Sequence, residues 1–510
     1  MPLPTSNTKW PPPPFDAVQD KYTEWAAWYS GESSQIAGVY SGIPVAHRAQ
    51  YYGGVVGKVA RFFWGQPNPV GQKQATKLHI PIAEEIASEG SLQLFKNPPR
   101  IAVESEEHQE RIDEYIKNGL FIKLLEGAEI ACALSGVYFR VGYDDNLQDT
   151  PLISVIHPDS AVPQFYHGFL QNSTLWQVIA EEHGKVWRHL ELHEPGWIFH
   201  GLYLGDNMTL GRQIPLAERQ ETADLEEESP SPVETLDVIY VPNLKTRAWR
   251  TKGQAANLGR SDYGSVLSIM DGLDEAYTSW MRDLRLGKSR LIVPQQYLES
   301  AGQGKGANLD LDKEVFVELN VMASKDKMEI TPNQFAIRYA EHQTTCQALL
   351  ERIISGAGYS AQTFGFTGEV AMTATESNAR ERRTFDTRAS KIEIWERKVQ
   401  ELVRLMLAID TSRGRIAPLP EDMEMLVEFP PPVKESEKVL AETAQLMLNA
   451  EAASTETRVR LLHPDWDDER VEEEVALIED SAPDPEPAII PEIIPNGGPV
   501  PAIPPAGVPA

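Results

Sequence analysis

Three groups of residues have the types and spacing that could support chemistry. Gly287-Lys288-Ser289 resembles the end of a phosphate-cradling loop. Such a loop needs a glycine five positions before its second glycine, after a strand; here Arg282 stands there, inside a helical pattern. The Gly302–Gly306 run holds Lys305 but no following Ser or Thr, so a flexible connection is the better reading. His189, Glu191 and His193 alternate along one expected strand and could imitate a metal triad. Same-face neighbours on a strand lie ~6.6 Å apart at ~3.3 Å per residue, too divergent for one ion, so an exposed polar strand face is expected instead. Cys132 and Cys346 have no CxxC companions and fall in apolar helical contexts, where core packing is the default. GxSxG, HExxH and DxDxT-like patterns do not occur. The residues give no positive argument for catalysis, a metal or a cofactor.

The elements that would carry these groups change character along the chain. After a proline-rich start, Val18, Tyr22, Trp25, Trp28 and Tyr29 fall at helical spacing, and apolar periodicity places helices over Ala83–Phe95 and Glu106–Ala133. Period two then predicts strands at Val137–Tyr143, Leu152–Ile156, Leu175–Ala180, Lys185–Glu194, Trp197–Leu204 and Val238–Val241, with an acidic loop over Glu218–Glu234. Ser261 is a credible cap for a helix ending at Gly287, with Met270, Tyr277, Trp280 and Leu284 on its apolar stripe. Strand-like pieces at Arg290–Pro294 and Glu314–Leu319 come next. Thr331-Pro332 with Gln334 reads as a capping box opening a second helix, which breaks at Gly356 and Gly358. The polar Gly358–Thr375 loop leads to a third helix, capped by Thr373 and Glu376, whose face is Phe385, Ala389, Ile392, Trp395, Val399, Leu402 and Met406. A strand at Met425–Phe429 and acidic helices at Glu435–Ala452, Thr457–Leu462 and Asp468–Asp480 follow. Ten prolines among residues 481–510 argue for an extended, disordered tail.

Composition narrows the class. With 47 basic and 75 acidic residues the formal charge is −28, so the molecule as a whole should repel nucleic acid. Hydrophobic residues at 41% suffice for real cores, and 510 residues suggest roughly two to four units at about 100–200 residues each. Two cysteines fit assembly in a reducing cytoplasm. No stretch approaches the ~18 apolar residues of a membrane span.

In this order of parts, the strings DKYTEWAAWYSGE, RFFWGQPNP with KLHIPIAEEIASEGSLQLF, LGRSDYGSVLSIMDGLDEAYTSWMRDLRLGKSRLIVP and LLHPDWDDERVEEEV resemble portal proteins of tailed bacteriophages, most closely those of long-tailed siphophages. The likeness covers roughly residues 15–480 and leaves the proline-rich tail unexplained. It implies an α+β portal fold: an arm (1–30), a wing (31–260), stem helices (261–287 and 332–357) and a clip between them (288–331). A tunnel loop (358–375), a long helix with wing return (376–433) and a crown (434–480) would complete it.

The resemblance also implies a non-enzymatic ring, commonly of twelve copies, at one vertex of the virion capsid. Such a ring nucleates the procapsid with the scaffolding and major capsid proteins. It docks the terminase large subunit, later joins head to tail through an adaptor, and passes double-stranded DNA. By position the tunnel loop would offer Tyr359, Thr363, Phe364, Phe366, Thr367 and Glu369 to the channel, and the clip would present Gln303, Lys305 and Asn308 to the terminase. Arg282, Arg285, Lys288 and Arg290 interrupt the acidic field at the stem–clip junction. Salt bridges to a neighbouring copy are the favoured reading for them, phosphate contacts the other. An acidic wall suits sliding, because DNA carries one negative charge per ~1.7 Å of axis and a basic wall would hold it. The rival expectations are a metal- or nucleotide-dependent DNA-processing enzyme and a scaffold without a channel.

Overall fold

Alternating apolar residues build much of the stretch from Gly136 to Pro242 into antiparallel sheet. The computed structural model describes residues 3–42, 77–286, 290–292, 299–300, 307–308, 331–333, 337–366, 374–420, 423–431, 437–450, 452–463, 466 and 468–480. The chain separates into two units, Met1–Pro430 and Pro431–Ala510.

In the first unit α1 (Phe15–Ser30), α2 (Ser33–Gly42) and α3 (Ile82–Phe95) precede β1 (Arg100–Val103). The expected helix over Glu106–Ala133 is two helices, α4 (Glu106–Lys117) and α5 (Leu120–Leu134). The break is Gly119, whose φ of +95° is a left-handed conformation that few other residues tolerate. Next come β2 (Gly136–Gly142) and β3 (Leu152–Ile156), which with β10 (Val238–Pro242) make a three-stranded sheet in the order β10-β2-β3. A larger sheet runs β4 (Ala161–Tyr166), β5 (Phe169–Glu182), β6 (Lys185–Glu194), β7 (Trp197–Gly205) and β8 (Arg212–Ile214). Sequence periodicity misses β4, which carries Pro163; a proline is tolerated there because β4 is an edge strand. The acidic Glu218–Glu234 stretch is not all loop, since β9 (Glu228–Pro230) pairs with β7.

His189 and His193 are not on an exposed face. They are 5% and 0% exposed, because the 230–237 segment and the smaller sheet bring Asp237 and Arg140 against β6. His193 Nδ1 lies 2.8 Å from Asp237 Oδ1, and its Nε2 lies 3.1 Å from Glu191 Oε1, an ion-pair distance. Arg140 Nη1 donates to Glu191 Oε2 at 2.7 Å. Burial disfavours the charged imidazole, but the Asp237 and Glu191 carboxylates outweigh it and push His193 up to about 9. Burial likewise opposes ionised Glu191, yet His193 and Arg140 bring it down to about 2. His189 and His200, 3.2 Å apart and stacked, are held below their usual range by burial.

The long elements follow: α6 (Leu267–Leu286), α7 (Tyr339–Ala357) and α8 (Ala374–Ser412), then β15 (Met425–Glu428), which closes on β1. The 39 residues of α8 span roughly 58 Å at ~1.5 Å each. Trp395, fully buried, packs edge-on against Phe95 at 5.1 Å and Phe139 at 6.1 Å, tying α8 to α3 and β2. Near the C-terminal end of α8, Asp410 accepts from Arg111 Nε at 2.7 Å and from the Tyr115 hydroxyl, anchoring it to α4. α6 begins at Leu267 rather than after Ser261, since the backbone N–H of Asp262 is committed to the Cys132 carbonyl. The second capping box is also corrected: Thr331–Asn333 is a strand, β14, pairing with β11 (Arg290–Ile292). Pro332 restricts Thr331 to extended backbone, and that ladder uses it. Glu314–Leu319 and Thr373 lie outside the described residues.

The second unit holds α9 (Glu437–Asn449), α10 (Thr455–Leu462) and α11 (Asp468–Asp480). Ser454 caps α10 by accepting from Thr457 N, and Arg460 reaches Asp468 at 2.8 Å. Leu446, Leu448 and Leu477 remain exposed on these helices.

The raised pKa of His193 has a pH consequence with a definite sign. A histidine whose folded value exceeds its unfolded ~6.5 stabilises fully below pH ~6.5, and that contribution disappears as pH rises through about 9. The expected loss across this window is on the order of 3 kcal/mol. Denaturation at pH 6 and pH 9.5 should show it in the wild type and a clearly smaller drop in His193→Gln; equal drops would remove His193 from the account.

Candidate functional site

The three longest helices of the first unit, α6, α7 and α8, are tied together at one buried cation. Lys391, in the middle of α8, is 1% exposed. Its Nζ donates to Asp262 Oδ2 at 2.6 Å, to Tyr359 Oη at 3.0 Å and to Cys132 Sγ at 3.0 Å. The Tyr359 hydroxyl donates to the same Asp262 oxygen at 2.7 Å, and Asn243 Nδ2 donates to the other at 2.7 Å. These residues come from α5 (Cys132), the segment after β10 (Asn243), the entry to α6 (Asp262), the exit of α7 (Tyr359) and α8. Gly90 on α3 leaves the space they need: a Cβ there would sit 2.5 Å from the tyrosine oxygen and 2.8 Å from the sulfur.

Electrostatics make this a lock rather than a reactive centre. Burial works against the ammonium, but Asp262, Cys132 and Tyr359 hold Lys391 well above its ordinary range, so it stays charged. Burial pushes the Cys132 thiol up to about 12, and the Tyr359 phenol well above 10. None of the three can serve as a base or nucleophile near neutral pH. Among the described residues no group of three His, Cys, Asp or Glu side chains has an arrangement that could hold a metal ion.

From this lock α6 and α7 run antiparallel. Gly356 faces Val266 at one end, and Asp283 meets Arg338 Nη2 at 3.2 Å and His342 Nε2 at 2.9 Å at the other. Hydrogen bonds with His342 first and then Arg338 hold the Asp283 carboxyl below the usual range. Trp280 stacks on His342 at 6.1 Å and packs edge-on to Tyr339 at 5.6 Å. On this stripe Met270 is fully buried, Tyr277 and Trp280 are half-buried, and Leu284 is 38% exposed. Much of the apolar edge expected at Trp280 is therefore covered inside one copy.

After α7 the chain is pinned to α8. Thr387 Oγ1 donates to Gly358 O at 2.6 Å, Ser360 N to Thr384 Oγ1 at 2.9 Å, and Thr363 lies 2.9 Å from the same hydroxyl. Phe364 packs edge-on to Tyr359, and Phe366 is 37% exposed. Tyr359, expected to face a channel, is instead fully buried within one copy. Its hydroxyl is needed by the Asp262–Lys391 pair, and it anchors the start of the loop. Thr367 and Glu369 lie outside the described residues, as do Lys288, Gln303 and Lys305. Arg282 is exposed, Arg285 lies in the last turn of α6, Arg290 opens β11, and Asn308 pairs with Glu299 in a two-residue ladder.

Sequence reading missed Lys391, Asp262 and Asn243, and placed the first half of the α8 face one residue off, at Phe385, Ala389 and Ile392, while Trp395, Val399, Leu402 and Met406 are buried as expected. Ala389 is exposed; the buried row is Thr384, Arg388, Lys391 and Trp395, at spacings of four, three and four. That row was findable by extending the Trp395–Val399–Leu402 stripe backwards with polar residues allowed. Each polar member has its partners, Arg388 donating to the Gln93 and Pro430 carbonyls at 2.6 Å.

The family model described as "Phage portal protein, SPP1 Gp6-like" matches residues 19–484. No curated protein matches the chain.

The lock makes a sharp stability prediction. Asp262→Asn leaves Lys391 buried without its counter-charge, which should cost ~3–5 kcal/mol. Replacing both partners by apolar residues, Asp262→Leu with Lys391→Met, should recover a large part of that loss. Urea unfolding midpoints decide it; a single variant as stable as wild type would show that the pair is not structural.

Proposed function

Because the chain belongs to the SPP1 Gp6-like family of phage portal proteins, whose members are structural virion components that form rings and engage capsid and terminase proteins, we propose how its parts divide that work. The α6–α7 pair is the stem, and the 288–331 insert is the clip. The segment after α7 is the tunnel loop, α8 crosses the wing, and α9–α11 are the crown. The ring holds twelve copies. It nucleates the procapsid with the scaffolding protein, docks the terminase large subunit through the clip, and later binds a head-completion adaptor.

One observation carries this reading. Two antiparallel helices, tied by Asp283–His342 at one end and Val266–Gly356 at the other, bracket an insert whose base is closed by the β11–β14 ladder. The second helix then hands the chain directly to a short anchored loop and a 39-residue helix. Stiff paired helices suit the wall of a conduit, and a loop anchored at its root suits contact with a moving duplex.

Phe366 and the residues after it, rather than Tyr359, are then the part of the loop that meets DNA. The segment from 365 to 375 holds no Lys or Arg and has Glu369 as its first charge. Class-averaged electron micrographs of the purified chain should show rings with a central hole. In a packaging assay, Thr367→Lys with Glu369→Lys should slow DNA entry or trap DNA, since added cations recruit phosphates by counterion release, while the ring population is unchanged. Wild-type packaging by that double variant, in intact rings, would place these residues away from the DNA path.

A further inference from the structure

Within a chain of net charge −28, the described stretch after Asp237 has the opposite balance. Between Asp237 and Asp262 no acidic residue occurs, whereas Lys245, Arg247, Arg250, Lys252 and Arg260 do. The first four are exposed. The stretch is folded back on itself, with Lys245 bridging to Gly259 and Arg260 N donating to Leu244 O at 3.0 Å. It forms one wall of a cleft of ≈ 530 Å³ whose other wall is α8, with Arg383, Arg397, Asp386 and Glu393. No ion pair joins Lys245, Arg260 or Arg397 to another described residue, and Arg383 Nη1 donates only to the Ser355 hydroxyl, at 3.0 Å.

The opposite side of α8 has the opposite charge. Glu381 and Arg383 are two residues apart, and at 3.6 residues per turn they point to nearly opposite sides of the helix. On the Glu381 side α3 adds Glu84, Glu85 and Glu89, the first two exposed. Partial burial, and then Glu89, raise Glu381; partial burial, and then Glu84, raise Glu85. Like charges are thus held side by side on one edge, while unpaired cations line the other.

A closed ring of identical copies is made by a heterologous contact, in which two different surfaces of the chain meet. Resting on the portal reading, we propose that the Lys245–Arg260–Arg383–Arg397 cleft receives the Glu84–Glu85–Glu89–Glu381 edge of the neighbouring copy. The occupant is a protein edge rather than a nucleic acid, because Asp386 and Glu393 share the cleft. A phosphate backbone would meet both carboxylates repulsively, whereas the neighbour's edge also carries the exposed Arg382, next to Glu381, which can be set against them.

Charge exchange tests this directly. One variant carries Lys245→Glu, Arg383→Glu and Arg397→Glu; the other carries Glu84→Lys, Glu85→Lys and Glu89→Lys. Each alone sets like charges across every interface and should lower the ring fraction by at least about tenfold in mass photometry. An equimolar mixture restores complementarity at both kinds of contact and should recover rings, which also shows that both chains fold. Should a triple variant fail to fold, the pair Arg383→Glu and Glu85→Lys is read the same way. Rings from either variant alone, or none from the mixture of folded chains, overturn the proposal. So does loss of duplex retardation by the first variant with its rings unchanged, since the cleft would then serve nucleic acid. A wild-type chain that forms no ring overturns the portal reading itself.

Discussion

A charged lysine buried among five chain segments is the constraint on which the first unit depends. An isolated ammonium in a protein interior is prohibitively costly, so Lys391 is tolerable only while Asp262, Tyr359 and Cys132 are all in place. Those partners lie at the entry to α6, the exit of α7 and the end of α5. The pair therefore does more than contribute binding energy: it fixes where two antiparallel helices leave the body, and in which direction. Hydrophobic contacts alone tolerate sliding by a rotamer or a turn. Hydrogen bonds of 2.6–3.0 Å to a single ammonium do not.

The same logic runs along α8. Its buried row begins with Thr384, Arg388 and Lys391 and turns apolar at Trp395, ending in Asp410 with Arg111 and Tyr115. Thr384 holds the loop after α7, Arg388 holds the backbone of α3 and of the segment after β15, and Asp410 holds α4. A helix of 39 residues packed only by an apolar stripe could shift in register. Polar contacts at both ends, with Trp395 between them, index it. For a molecule whose copies must close a ring, a fixed relation between α8, the α6–α7 pair and the loop after it matters more than the last increment of stability.

How much of this was legible follows from the same physics. Leu152–Ile156 and Lys185–Glu194 were read to the residue, although neither buries one face alone: the first is half-buried throughout and the second buries residues on both faces. β1 and β4 were missed. β1 is short and pairs with β15 more than 300 residues away, and β4 carries a proline that only an edge position permits. The polar half of the α8 stripe was hidden because a lysine and an arginine look like solvent until partners distant in sequence are known. His193 was misjudged for the same reason, since Asp237 arrives from beyond three further strands. Sequence shows the period of an element well; it shows poorly which polar residues the fold will enclose.

Net charge was the weakest of the sequence arguments, and the structure says why. At physiological salt the Debye length is ≈ 8 Å, less than the width of one helix, so a formal charge of −28 is not felt as a whole across the molecule. What a neighbour or a duplex meets is the pattern within a helix diameter. One side of α8 shows Glu381 beside the α3 carboxylates, with Arg382 next to it, the other a cleft of cations diluted by two carboxylates. A conduit for DNA has to satisfy two demands that conflict at the level of net charge: copies of an acidic chain must adhere, and an acidic polymer must slide past without being held. On the proposed reading, gathering cations in one cleft, and leaving the segment after Phe366 without any as far as residue 375, would meet both, because screening keeps each patch from acting beyond its own surroundings.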